Sequence, residues 1–219
     1  MRWIEEIQGR FKLNKDTERA EKMKAYMKGQ FEYFGIMATP RRDLTKQVYK
    51  ERGLPQKPFE VAKDLFILPQ RELHYVGQEM MLKAKKQWSE NTILDIEWFI
   101  ITNSWWDTVD YIASNLAGTY FKKYPENIIP IVGKWNASDN IWLIRSSILF
   151  QLKYKEKTDS TLLAKLILPH KSNKEFFIKK AIGWALREYA RTNPAWVQEF
   201  VNIHELQPLS IREALKHFS

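Results

Sequence analysis

Apolar residues along this chain recur at i, i+3, i+4 and i+7, the spacing that turns one face of an α-helix toward a core. Trp105, Val109, Ile112 and Leu116 form one such stripe, and Ile178, Ile182, Ala185 and Tyr189 form another. A third segment, from about Ala137 to Tyr154, is apolar nearly all round, with Ile141, Ile144, Ile148 and Leu152 in register. No run alternates as a half-buried strand must. The breakers fall between the stripes. Thr39-Pro40 reads as a cap followed by proline at the first helical position, and Gly35 and Gly53 read as C-terminal stops. Pro55, Pro69, Pro125, Pro194 and Pro208 punctuate the remaining gaps. The pattern predicts on the order of fourteen short helices with short connections.

A faint repeat runs through the second half. Trp142 and Arg145, and again Trp184 and Arg187, stand in a W-x-x-R pattern 42 residues apart, and Trp106 precedes Trp142 by 36. Periods of this size suit paired helices of the HEAT or armadillo kind. The expected fold is therefore all-α, a curved solenoid of HEAT-like antiparallel helix pairs, with residues 1–219 as a single domain. A compact irregular helical bundle is the alternative. No linker or low-complexity segment divides the chain.

Composition adds a partner and removes several chemistries. Lys and Arg number 35 against 26 acidic residues, a formal charge of +9 spread along the chain. Such a balance favours a polyanion, nucleic acid before membrane, although a merely basic soluble protein carries the same charge. Cysteine is absent, so disulfides and cysteine-ligated zinc or iron–sulfur centres are excluded. The start, Met1-Arg2-Trp3-Ile4-Glu5-Glu6, lacks a signal-peptide apolar run, and no stretch is apolar enough to span a bilayer. The expectation is a soluble, cytoplasmic, nucleoid-associated protein with no membrane partner. His74, His170, His204 and His217 match no helical metal-ligand spacing and read as surface or boundary residues, so no metal is expected. The pairs Arg41-Arg42, Lys85-Lys86, Lys122-Lys123 and Lys179-Lys180 read mostly as solvated faces offering non-specific attraction.

Three positions carry candidate chemistry. Trp106 and Asp110 lie one turn apart, off the core stripe of their helix, beside the small residues Ala113, Ser114 and Ala117. An indole beside a carboxylate over a low, open wall suits a cationic or cation-forming substrate. Trp184 also misses its core stripe, standing among Phe177, Lys180, Arg187, Glu188 and Arg191, where a nucleic-acid backbone could pass. Packing against a neighbouring helix accounts for it equally. Arg145 sits in the most apolar helix and needs an offset for its desolvation, either a salt bridge to Asp107 or Asp139 or a phosphate. Asp107 and Asp110 alone make no metal site, and glycine-rich phosphate loops, nucleophile elbows and H-E-x-x-H are absent.

The chain resembles the DNA alkylation repair enzymes of the AlkD type, a family of HEAT-like-repeat DNA glycosylases. The resemblance is carried by Glu21 to Lys28, Ser104 to Asp110, Ala137 to Arg145, Phe150 to Lys155 and Lys174 to Trp184, with Arg187 to Ala190 following. It implies hydrolysis of the N-glycosidic bond of cationic N3- and N7-alkylated purines, such as 3-methyladenine and 7-methylguanine, in double-stranded DNA. It further implies Asp110 as the catalytic carboxylate and Trp106 and Trp184 as the cleft tryptophans. Tyr26, Arg145 and Arg187 are the implied DNA contacts. The resemblance calls for no metal or nucleotide cofactor, and this protein is expected to be a monomer. The segment Met37 to Arg42 departs from its pattern. A non-catalytic HEAT-repeat module that binds DNA or protein through a basic concave face is the competing reading.

Overall fold

The structure, a computed structural model, describes residues 3–216 and 218. Its described residues form helices joined by turns and loops, with no strand; the nearest approach to one is a single isolated bridge between Glu32 and Gln70. The all-α expectation holds. By Cα proximity the chain forms two compact units, Met1–Ser89 and Glu90–Ser219.

The first unit contains α1 (Trp3–Leu13), α2 (Thr17–Tyr26), α3 (Ala38–Arg52), α4 (Pro58–Phe66) and α5 (Arg71–Lys83). Ile7, Phe11, Val48, Leu65, Phe66, Leu73, Val76 and Met80 fill its core. Helices α4 and α5 touch at Gly77, where a Cβ would stand 2.7 Å from the Ala62 carbonyl oxygen. Gly53 caps α3 with φ +69°, as expected of a stop. Gly35 does something else. It lies in the loop before α3 at φ +86°, pressed so close to Asp16 that a Cβ would meet its carbonyl oxygen at 2.0 Å. The buried Glu72 carboxylate holds that loop by accepting the backbone N–H groups of Phe34, Gly35 and Ile36 at 3.1, 2.8 and 3.0 Å. Helix α3 begins at Ala38, so Thr39 and Pro40 are its second and third residues and Met37 is its N-cap. Proline is tolerated there because first-turn N–H groups have no intrahelical acceptor.

Two further sequence expectations change in this unit. His74 is fully buried, with Nδ1 2.9 Å from Arg71 Nη1 and Nε2 2.6 Å from the Leu68 carbonyl, so its ring is a core strut. Arg41 is likewise buried rather than solvated, and donates twice to Glu79 at 2.8 Å. His217 lies outside the described residues, as do Met1 and Arg2 of the N-terminal segment.

The second unit contains α6 (Thr92–Ile101), α7 (Trp106–Tyr111), a π-helical turn (Ile112–Ala117), α8 (Gly118–Lys123), α9 (Ile128–Asn136), α10 (Ile141–Leu149), α11 (Ser160–Ile167), α12 (Phe176–Ala190), α13 (Pro194–Ile203) and α14 (Pro208–Ala214). One core cluster joins Ala113 of the π turn, Ile144 and Ile148 of α10, Ile178, Ile182 and Ala185 of α12, and Ala214 of α14. The segment expected to run as one helix from Ala137 to Tyr154 is helical only over α10. The Asn140 side chain caps its start, accepting from the Trp142 and Leu143 N–H groups, and the chain turns after Leu149. No helix is long and apolar enough to cross a membrane among the described residues.

Candidate functional site

Trp105 is extended at φ −155°, which starts α7 at Trp106 and puts Asp110 one turn into it. Val109, Ile112 and Leu116 are fully buried, so the predicted stripe is the core face. The helix then widens into the π turn, in which Ser114 Oγ donates to the Asp110 carbonyl at 2.7 Å. Ala113, Ser114 and Ala117 are buried in this turn, and Ala113 belongs to the core cluster. The low, open wall expected from these small residues does not exist, because their size serves close packing under α10.

What stands over Asp110 is Arg145. From α10 its Nε donates to Oδ1 at 2.7 Å and its Nη2 to Oδ2 at 3.0 Å, a bidentate pair. The side chains are 5% and 14% exposed respectively, so both charges are largely out of water. Arg145 Nη1 also donates to the Phe177 carbonyl at the start of α12. The salt bridge considered for Arg145 is thus real, but its partner is neither Asp107 nor Asp139. Helical spacing could not name Asp110 because the two residues meet only through the packing of α7 on α10. Burial pushes the Asp110 carboxyl above its ordinary value, and the Arg145 charge and hydrogen bonds oppose that rise.

A cavity of about 350 Å³ opens onto this pair. Trp106, Asp110, Arg145, Phe176, Phe177, Lys180, Trp184, Arg187 and Glu213 line it. Trp184 packs partly against the core cluster and partly lines the cavity, which reconciles the two accounts of it. Behind the wall, Phe177 meets Trp105 at 5.2 Å and Trp142 at 4.9 Å between ring centroids. Edge-on and tilted contacts of this kind add to area burial and hold the aromatic lining stiffly. Phe176, 55% exposed, forms the lip.

The far side is set by α14. Gly183 of α12 lets that helix approach so closely that a Cβ would come within 2.4 Å of Glu213 Cβ. Glu213 Oε1 accepts Lys180 Nζ at 3.0 Å and Lys216 Nζ at 2.7 Å, while Oε2 accepts Arg187 Nη1 at 3.0 Å. Burial works against ionisation of Glu213, but the bonds from Lys216 and Lys180 outweigh it and hold its carboxyl at about 2. No group of carboxylates and histidines among the described residues could hold a metal ion.

A cavity that sets a buried carboxylate between tryptophans and cations suits a cationic, phosphate-bearing substrate. The profile of the DNA alkylation repair enzyme family matches residues 7–218. The chain belongs to the DNA alkylation repair enzyme family. A solved structure described as a predicted DNA alkylation repair enzyme from Enterococcus faecalis is 34% identical, with a TM-score of 0.86 over 94% of this chain and 97% of that one. No curated protein matches. A role in the repair of alkylated DNA follows, with DNA as the partner.

In this alkylation repair protein the structure brings five of the six sequence-predicted site residues to one cavity: Trp106, Asp110, Arg145, Trp184 and Arg187. Tyr26 belongs to the first unit. It ends α2, is 70% exposed, and borders a shallow hollow with Arg19, Met23, Met27, Met37 and Tyr75. Sequence reasoning missed Glu213 entirely. Its partners Lys180 and Arg187 lie 33 and 26 residues away on another helix, so no local spacing reveals it. The small residues Gly183 and Ser210, where two helices meet, were the available signal.

Proposed function

We propose that this repair protein is an alkylpurine DNA glycosylase with Asp110 at its catalytic centre. The observation that supports it most is the buried Asp110 carboxylate facing a cavity walled by Trp106 and Trp184. Alkylation at N3 or N7 leaves a purine positively charged and already primed to depart. As the C1′–N bond breaks, its electron pair passes to the base, which leaves neutral, and positive charge gathers on the deoxyribose. Asp110 stabilises that oxocarbenium-like charge and orients a water whose oxygen bonds to C1′ and whose proton is released to solvent. Trp106 and Trp184 favour the same cation through their faces and hold the sugar and its phosphate.

Arg145 acts in this scheme as a positioning residue. Its bidentate grip fixes both Asp110 oxygens, and any phosphate contact it makes comes from the edge that lines the cavity. Arg187 and Tyr26 are proposed to contact the DNA backbone. The family match runs through both compact units, and we propose that they act together as one domain. No cofactor enters the reaction.

The test is release of free base from duplex DNA carrying 7-methylguanine, comparing the wild type with Asp110→Asn. We expect the variant to keep DNA binding and lose excision by about 10²-fold or more, the scale of a lost transition-state charge contact. Because the change leaves Arg145 buried without its counter-charge, folding is checked by thermal melting. Binding without release by the wild type would favour the non-catalytic module.

A further inference from the structure

Three cations converge on the single buried carboxylate of Glu213: Lys180 and Arg187 from α12, and Lys216 from three residues along the chain. The carboxylate is 6% exposed, yet its partners are not hidden with it: Lys180 and Arg187 remain 35% and 24% exposed and line the same cavity as Asp110. An ammonium carries three N–H groups and a guanidinium five, so the bond each gives to Glu213 leaves further donors for a ligand. Both cations project from α12, seven residues apart and two turns along one face, and α14 supplies the carboxylate that ties them. Backbone rigidity accompanies the tie. Gly183 lies between the two cations in sequence and is pressed on Glu213 Cβ, and Ser210 Oγ donates to the Lys179 carbonyl at 3.0 Å.

We infer that Glu213 is a positioning residue that presents Lys180 and Arg187 together, at the cavity bordered by Asp110, as one seat for a backbone phosphate of DNA. Long basic side chains lose rotamer freedom when they grip an anion, and a carboxylate that has already ordered them removes part of that cost from binding. The seat holds the phosphate flanking the reacting nucleotide, so the deoxyribose is carried to Asp110 rather than merely attracted to a basic face. This role rests on the glycosylase reading of the same cavity, but the phosphate seat itself does not require base release.

The experiment pairs two readouts on full-length protein. The first is the salt dependence of binding to undamaged duplex. One shared phosphate predicts that Lys180→Ala, Arg187→Ala and the double variant each lower the log–log slope by about the same 0.9, the value for one neutralised phosphate. A double variant that loses about twice as much would show two independent contacts and overturn the shared seat. The second is single-turnover release of 7-methylguanine. Glu213→Gln keeps all three cations, so the salt slope for undamaged duplex should persist, whereas loss of their pre-ordering should weaken that binding and lower excision about tenfold, and Glu213→Asp should recover part of both. Loss of the Glu213 charge should itself lower the melting temperature, so both readouts are taken well below it; a salt slope that falls as though the two cations were lost would reduce Glu213 to a structural tie, and unchanged excision would overturn its positioning role. If the wild type releases no base, the glycosylase reading fails, and the salt slopes alone decide the seat.

Discussion

Two carboxylates face the same cavity and behave oppositely, because their neighbours differ. Asp110 is pushed up by burial, with Arg145 opposing, and a carboxylate that must be ionised to stabilise a cation works only above its own pKa. Excision should therefore decline on the acid side with an apparent pKa above the ordinary aspartate value of 3.8, as read from single-turnover rates against pH. Glu213 is held down at about 2 against an ordinary 4.5. A depressed folded-state pKa stabilises the fold above the unfolded value and loses that contribution as pH falls toward the folded one. Wild-type stability should consequently decline between about pH 4.5 and 2, and Glu213→Gln, measured by chemical denaturation across that range, should flatten the decline. Arg145→Met tests the remaining member of the cluster. Leaving Asp110 buried and unpaired should cost about 3–5 kcal/mol of stability, and excision should fall with it.

At the scale of elements, the cavity exists because α12 receives two neighbours at different faces. Helix α10 reaches it through Arg145 and the Phe177 carbonyl, and α14 reaches it through Glu213 over Gly183. Gly183→Ala places a methyl group within 2.4 Å of Glu213 Cβ and 2.8 Å of the Ser210 carbonyl oxygen. Overpacking of that kind costs about 1–3 kcal/mol, and a lowered melting temperature should be accompanied by weaker excision as α14 is displaced. The π turn after Asp110 has a comparable role from the other side. It places Ala113 in the core while Ser114 takes the Asp110 carbonyl, so the carboxylate extends from backbone anchored on both sides of the turn. In the first unit the loop built on Glu72 depends on Gly35. Gly35→Ala would meet both a left-handed φ and the Asp16 carbonyl, and should destabilise that unit without touching the residues around Asp110.

For the whole molecule, charge governs encounter and the cavity governs chemistry. A net +9 attracts any duplex, and association with undamaged DNA should weaken steeply with salt, on the order of 10³-fold from about 50 to 200 mM for some six phosphate contacts. Several cations do not belong to that pool. Arg41, Arg71 and Arg145 are buried, and Glu79 or Asp110 already engages two of them. The 35 lysines and arginines of the sequence therefore overstate the cations available to DNA, and a fitted salt slope should reflect those that reach solvent and not the buried, paired ones.

What is local and periodic was legible along the chain before any packing was known. Helical spacing is written in every turn, so the all-α class and the core stripes at Val109, Ile112 and Leu116 and at Ile178, Ile182 and Ala185 could be read directly. So could the isolation of Trp106, Asp110 and Trp184 from those stripes, since a residue's face depends only on its neighbours along one helix. Helix ends were less legible. Gly53 is the stop it resembles, whereas Gly35 is a close backbone approach, a distinction made by Asp16 and Glu72 and not by adjacent residues. Which charges meet depends on packing between distant segments. Asp110 with Arg145, and Glu213 with Lys180 and Arg187, are separated by 35, 33 and 26 residues. An ion pair of that span carries no periodic signature, and it is set only when α7, α10, α12 and α14 have packed.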